Sequence, residues 1–251
     1  MIEIVVGDVH ARAGALRALL RRLGALDSRG RRRAGFWIVQ VGDLLDRRAS
    51  PEANLDTARL AARALDVSLA GNHEVGMLAE ADCPQGAALA TLAVRGWPQA
   101  AVSLDDWLVT HAGVHPELAR VLPGRADECA AEINDRWHRR PQAGPGDPLF
   151  DWVGPARGGL APHGGLIWLD AGEWPRRGRT PWGQITGHCP QTRPRLLQGP
   201  RWAIDVGSRD GRLAALVRRH RSGSWDPLVV RSSTRLAGAP AGRKRLAGAA
   251  A

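Results

Sequence analysis

The chain contains no tyrosine, two phenylalanines and two methionines, so ten tryptophans carry nearly all of its aromatic bulk. Lysine is almost missing: Lys244 stands alone, and every other basic side chain is arginine. Cysteine occurs three times, as Cys83, Cys129 and Cys189, with no C-x-x-C pair. An odd number of widely spaced cysteines argues against a disulfide framework and suits a reducing cytoplasm. No run approaches about 18 consecutive apolar residues, so no membrane-spanning helix is expected. The opening MIEIVVGDVH lacks a basic flank and meets an acid at Asp8, which argues against a signal peptide. A cytoplasmic location is the expectation. Three signatures are also missing. There is no G-K dipeptide of a Walker phosphate loop, no G-x-G-x-x-G dinucleotide fingerprint and no G-x-S-x-G nucleophile elbow.

What is present is a globular composition. Of 251 residues, 44% are hydrophobic and 24% charged, enough apolar material for a sizeable core. The net charge of +10 would suit a polyanionic partner. Arginine in place of lysine, with abundant alanine and glycine, instead fits a GC-rich coding bias, so nucleic acid is not required. Part of the surplus is terminal. The end LAGAPAGRKRLAGAAA is low in complexity and reads as a disordered basic tail over 236–251, leaving 1–235 as one catalytic-sized domain.

Short apolar runs recur at 2–6, 36–41, 66–70, 106–110, 165–169, 183–186 and 201–205, and these are predicted strands. Helices fall between the first three. Leu16, Leu19, Leu20 and Leu23 share a face, with Gly24 just past the end. A second helix opens with Ser50 as N-cap and Pro51 at the first helical position. A third fits 126–139, with Cys129, Ile133 and Trp137 in one stripe. The order β-α-β-α-β implies parallel strands with right-handed crossovers. Later runs at 183–186, 194–198, 201–205, 212–218 and 226–231 read as an antiparallel meander, so the class is α/β followed by further β. The Pro- and Gly-dense stretch 141–165 reads as an ordered loop.

Polar groups gather where the strands end. Gly7-Asp8-Val9-His10 follows the first, and Gly42-Asp43-Leu44-Leu45-Asp46-Arg47 the second. Gly71-Asn72-His73-Glu74 follows the third, His111-Ala112-Gly113 the fourth, and Gly187-His188 the strand at 183–186. In open α/β sheets, ligands sit beyond the carboxyl ends of strands. Asp, His and Asn together offer oxygen and imidazole donors to transition metals. Any one of these motifs has a bland reading, as a turn or a helix cap. The ordered set of five does not. His115, His138, His163 and His220 lack this context and read as structural or solvated.

The set GDVH, GDLLDR, GNHE, HAG and GH resembles the signature of calcineurin-like metallophosphoesterases, in their phosphoprotein phosphatase branch. That branch includes bacterial-type serine/threonine phosphatases and diadenosine tetraphosphatases. The resemblance implies two mixed β-sheets packed face to face and flanked by helices, in an α/β sandwich. It implies two divalent metal ions, with manganese, iron and zinc all compatible with the donors. Asp8 and His10 would bind one metal, Asp43 would bridge both, and Asn72, His111 and His188 would bind the second. A hydroxide bridging the metals would attack a phosphomonoester in line. Arg47 would hold phosphoryl oxygens, and His73 would protonate the leaving group with Asp46 orienting it. Asp46 has a second reading as a salt-bridge partner of Arg47.

A second phosphate-binding arginine is expected after HAG. Arg157 is the first candidate, with Arg176 and Arg177 behind it, all in a substrate-facing insertion at 114–182. The chain departs from the usual pattern at Ala11 and Arg48, where glycines are common, and at Leu69-Ala70, where an arginine often precedes GNHE. Cys189 follows His188 and reads as a small buried thiol. The implied substrate is a phosphoprotein or a small-molecule phosphoester. A symmetrical dinucleoside-tetraphosphate hydrolase is the alternative, against which Asp46 counts. A catalytically dead nucleic-acid-binding protein is the remote one.

Overall fold

The computed structural model describes residues 1–94, 96, 98–143, 146–207 and 210–231, with the side chains of 141–143 excepted. The tail expected over 236–251 lies outside the described residues.

The first half builds β1 (Ile2–Val6), α1 (Ala13–Arg22), β2 (Phe36–Gln40), α2 (Pro51–Ala64), β3 (Val67–Ser68), α3 (Asn72–Leu78), α4 (Gly86–Ala93), β4 (Ala101–Leu104) and β5 (Trp107–Thr110). The second half adds α5 (Pro116–Ala119), α6 (Ala126–Ala143), α7 (Pro148–Asp151), β6 (Gly183–Thr186), β7 (Arg195–Leu197), β8 (Arg201–Ala203), β9 (Arg212–Arg218) and β10 (Asp226–Arg231). Ser50 caps α2 as expected, its hydroxyl accepting from the Ala53 N–H at 3.2 Å. Such a cap contributes about 1 kcal/mol. Gly24 closes α1 at φ +69°, a left-handed turn that only glycine adopts without strain.

Two five-stranded mixed sheets result, ordered β10-β9-β1-β2-β3 and β4-β5-β6-β8-β7. β1, β2 and β3 are parallel neighbours, as the β-α-β-α-β reading required. The alternation of side chains along each strand sorts the core into layers. Ile4, Val6 and Ile38 face α1 and α2, meeting Leu16, Leu19, Leu20 and Ala58. Val5 and Val39 point the other way, onto Val109, Ile185 and Ile204 of the second sheet. Leu108 and Ala101 then face outward onto Cys129, Ile133 and Trp137 of α6. The architecture is a helix–sheet–sheet–helix sandwich.

Three expectations need correction. The antiparallel meander does not form. β6 and β8 are parallel, and the antiparallel pairs β7–β8 and β9–β10 lie in different sheets, β9 and β10 crossing back to pair beside β1. Apolar runs report burial and do not report which sheet edge a strand will join. The run 165–169 is a turn whose Trp168 and Leu169 N–H groups both bond the Gly165 carbonyl. Its Leu166 and Ile167 are apolar because they plug the outer core, fully buried. The third helix runs on to Ala143. β4 and the helices α3, α4, α5 and α7 had no counterpart in the sequence reading. Among the described residues, no helix is long and apolar enough to cross a membrane.

Candidate active site

The strand ends converge on one cavity. Asp8 and His10 follow β1, Asp43 and Asp46 follow β2, and Asn72 and His73 open α3 after β3. His111 follows β5 and His188 follows β6, so both sheets contribute. Close backbone approach explains two of the motif glycines. A Cβ at Gly71 would stand 2.2 Å from Asp43 Oδ1, and one at Gly187 would stand 1.8 Å from Asp8 Oδ1. The loops are strained where the site residues sit. His10, Asp43 and His188 have φ of 49°, 53° and 66°. Left-handed backbone at non-glycine residues costs roughly 1–3 kcal/mol each and clusters at functional sites.

Donor atoms of Asp8, His10 and Asp43 lie within 4.8 Å of one another, and so do those of Asp43, His111 and His188. Asp43 belongs to both groups. His111 Nδ1 faces the Val41 carbonyl at 3.2 Å, which keeps a proton on Nδ1 and leaves a lone pair on Nε2. That lone pair meets the Asn72 Oδ1 at 3.0 Å, His188 Nδ1 at 3.1 Å and Asp43 Oδ1 at 3.5 Å. With His188 Nδ1 also unprotonated all of these are acceptors, and a cation between them offsets their repulsion. The spacings suit ligands placed about 2.0–2.2 Å from one ion. Asp8 Oδ1 and His188 Nε2 are buried with no hydrogen-bond partner among the described residues. The donor set therefore fits divalent metals.

Protonation agrees. Burial drives His111 well below the ordinary histidine range, with His188 adding repulsion. Burial and then Arg157 bring His188 down to about 3. Both imidazoles are neutral, the form that ligates. Burial raises Asp8, with Asp205 and Asp43 adding to the effect, and burial then Glu74 raise Asp43. Packed carboxylates of this kind call for cations beside them.

His73 stands at the rim of this cluster. Its Nδ1 lies 3.3 Å from Asp46 Oδ1 and 3.3 Å from the Arg47 N–H. Burial works against ionising Asp46, but His73 and the Arg48 N–H outweigh it and hold the carboxyl at about 2. The ionised Asp46 carboxylate accepts the hydrogen bond of an Nδ1–H, a form in which Nδ1 no longer accepts from the Arg47 N–H, and Nε2 faces Asp43, 4.0 Å away. Burial lowers the His73 imidazolium, yet Asp46 and Asp43 together raise it above the ordinary value.

The arginines divide. Arg157 lines the cavity, which has a volume of about 680 Å³, together with His10, Asp43, Asn72, His73 and His188. Its Nε pairs with Asp170 at 3.0 Å, and its Nη2 donates to Cys189 Sγ at 3.5 Å. Arg177 lines a separate cavity with His115 and Arg179, and Arg176 lines neither. Arg47 is drawn across Gly76 into an ion pair with Glu80 and lines an adjoining cavity. Arg48 lines both. His115 and His163 stack face to face at 3.7 Å and 21°, and His115 Nδ1 accepts the Glu117 N–H. Their donor atoms and a Glu117 carboxylate oxygen lie within 4.8 Å of one another, away from the strand-end cluster.

Sequence reasoning missed two acids. Glu74, fully buried, accepts the N–H groups of Asp43, Leu45 and Gly71 at 2.9, 2.7 and 2.9 Å, locking the second and third motif loops together. Asp205 follows β8 and lines the cavity, its Oδ1 taking the Gly207 N–H at 2.8 Å. The same rule that found the other residues, a polar group ending an apolar run, points to Asp205.

No family model and no curated protein sequence matches the chain. Among solved structures, it is similar to the cold-active protein-tyrosine phosphatase of a psychrophilic Shewanella species. The TM-score is 0.54 at 17% identity, over 90% of this chain and 80% of that one. It is also similar to a protein serine/threonine phosphatase from Saccharomyces cerevisiae, with a TM-score of 0.50 at 15% identity over 94% and 82% of the two chains. At these identities the likeness is one of fold, and the fold is the two-sheet sandwich expected from the five motifs.

Proposed function

We propose that this protein is a phosphoesterase that depends on two divalent metals and hydrolyses phosphomonoesters. The observation that carries the reading is the position of Asp43, shared by two groups of donors whose lone pairs converge. The likeness in fold to two phosphatases supports it.

Asp8 and His10 would hold one cation, Asn72, His111 and His188 the other, with Asp43 between. When bound, the pair supplies Lewis acidity, yielding a nucleophile from water near neutral pH and neutralising phosphoryl charge. The protein's own groups do the rest. Arg157 projects into the cavity and offers a charge-assisted fork to phosphoryl oxygens. His73, protonated at Nε2 through its raised pKa, gives that proton to the leaving oxygen, and Asp46 holds its Nδ1–H. Arg47 would reach the substrate by exchanging Glu80 for a phosphoryl oxygen. Glu74 fixes the backbone from which Asp43 and Asn72 project. Residues 1–235 form one catalytic unit in this reading, and 114–182 supplies Arg157.

The test is turnover of p-nitrophenyl phosphate by chelator-stripped protein before and after addition of manganese. Restoration of activity with two bound equivalents of metal supports the reading. Absence of turnover with manganese, iron and zinc alike overturns it.

A further inference from the structure

Three arginines that line the catalytic cavity, Arg12, Arg48 and Arg212, have no part in the reaction just described, and Arg212 stands on its β9 wall. Arg212 opens β9, which runs antiparallel beside β1 with Val6 opposite Ala215. Its side chain therefore stands at the carboxyl end of β1 and lines the cavity with Arg157 and His188. One hydrogen bond holds the guanidinium, Nη1 donating to the Thr192 carbonyl at 3.0 Å. Its Nε is buried with no hydrogen-bond partner among the described residues. Nη2 forms a long ion pair with Asp210 Oδ2 at 3.6 Å, beyond hydrogen-bonding distance and on a mostly exposed side chain. Arg157, by contrast, has Asp170 at 3.0 Å. Asp205 on the same wall feels the charge of both arginines, and the Gly207 N–H already occupies one of its oxygens.

A guanidinium facing a cavity, with one hydrogen bond and only a long, solvent-exposed ion pair, is prepared for an anionic ligand. The phosphoryl group under attack is served by the donor cluster, His73 and Arg157. We propose that Arg212 forms a second anion subsite, and that the preferred substrate is a small phosphomonoester bearing a further phosphate or carboxylate. This rests on the phosphoesterase reading above. The cavity volume of about 680 Å³ is that of a small-molecule site, which run from roughly 300 to 1,000 Å³. The competing role for Arg212 is structural, tying the segment after β6 to β9 through Thr192.

The experiment compares kcat/KM on matched pairs, measured as released phosphate in manganese-loaded protein. Glycerol 3-phosphate against 3-phosphoglycerate tests a carboxylate. Fructose 6-phosphate against fructose 1,6-bisphosphate tests a phosphate. The wild-type protein should favour the second member of at least one pair by about tenfold or more, a preference that shrinks as salt rises. Arg212→Ala should bring that ratio toward one. Arg212→Lys, which keeps the charge and loses the fork, should retain part of it, whereas a purely structural role would not follow the charge. Equal rates within both pairs, or a ratio that survives Arg212→Ala, overturns the subsite. So does faster turnover of a phosphopeptide than of either pair. Hydrolysis of the single-anion members leaves the phosphoesterase reading standing in each of those cases. Inertness toward all four compounds and p-nitrophenyl phosphate removes that reading, and the subsite with it.

Discussion

His73 Nδ1 and Asp46 Oδ1 meet at 3.3 Å, a contact that supports the orienting reading of Asp46. Its carboxylate faces the imidazole, while Arg47 pairs with Glu80. His73→Asn should lower kcat roughly 10²–10⁴-fold on an alkyl phosphate, the scale of general acid catalysis. The loss should be smaller on p-nitrophenyl phosphate, whose leaving group barely needs a proton. Asp46→Asn removes a group that raises the His73 pKa, so the alkaline limb of the pH–rate profile should move to lower pH. Equal losses of rate on both substrates in His73→Asn would sink the assignment.

Asp43 is the donor common to both clusters, and a neutral amide bridges two cations poorly. Asp43→Asn should abolish turnover and lower the metal content measured by mass spectrometry. Wild-type activity with two metals bound in that variant contradicts the shared site.

Arg157 and Arg177 line different cavities. Arg157→Ala should lower kcat/KM at least about tenfold with metal content unchanged, consistent with the loss of one charge-assisted pair. Arg177→Ala should be nearly silent. The reverse pattern in steady-state kinetics would assign the phosphate contact to Arg177 and overturn the reading of Arg157.

Ala11 stands where the resembled family commonly has glycine, and its φ is 58°. A Cβ in left-handed backbone costs roughly 1–2 kcal/mol, part of which glycine returns as unfolded-state entropy. Ala11→Gly should therefore stabilise by about 1 kcal/mol, or raise Tm by about 2–4 °C for a chain of this size. A lower Tm by calorimetry would show that the methyl group contributes more by packing than it costs in strain.

His115 is buried, and burial followed by His163 brings it down to about 4. The unfolded chain binds a proton there at the ordinary histidine value, so between that value and about 4 it holds more protons than the folded one. The stability contribution is therefore full above the ordinary value and is lost as pH falls through this window. His115→Asn keeps a cap for α5 and cannot titrate. The drop in Tm from pH 7 to pH 4.5 should be smaller in the variant than in the wild type, and an equal drop refutes the assignment.

Sequence alone marked the strand ends and the polar side chains that gather there. Gly–Asp, Gly–Asn–His and Gly–His each close an apolar run, and chain chemistry at such a point is local: a turn, a backbone approach, a side chain of the right type. The Val- and Ile-rich runs of β1 and β2 likewise marked buried strands, because a strand covered on both faces is apolar almost throughout. Tertiary structure decided what locality cannot express. β9 pairs with β1 across some two hundred residues of chain, an edge open only once the first sheet exists. Glu74 gathers three N–H groups from two motifs, a role invisible until those loops meet. Arg47 is drawn to Glu80 while Arg48 and Arg212 face the cavity, because long side chains go where a charge partner or a space awaits them. The run 165–169 has the hydrophobicity of a strand and the hydrogen bonds of a turn, since burial selects apolar residues whichever way the backbone runs.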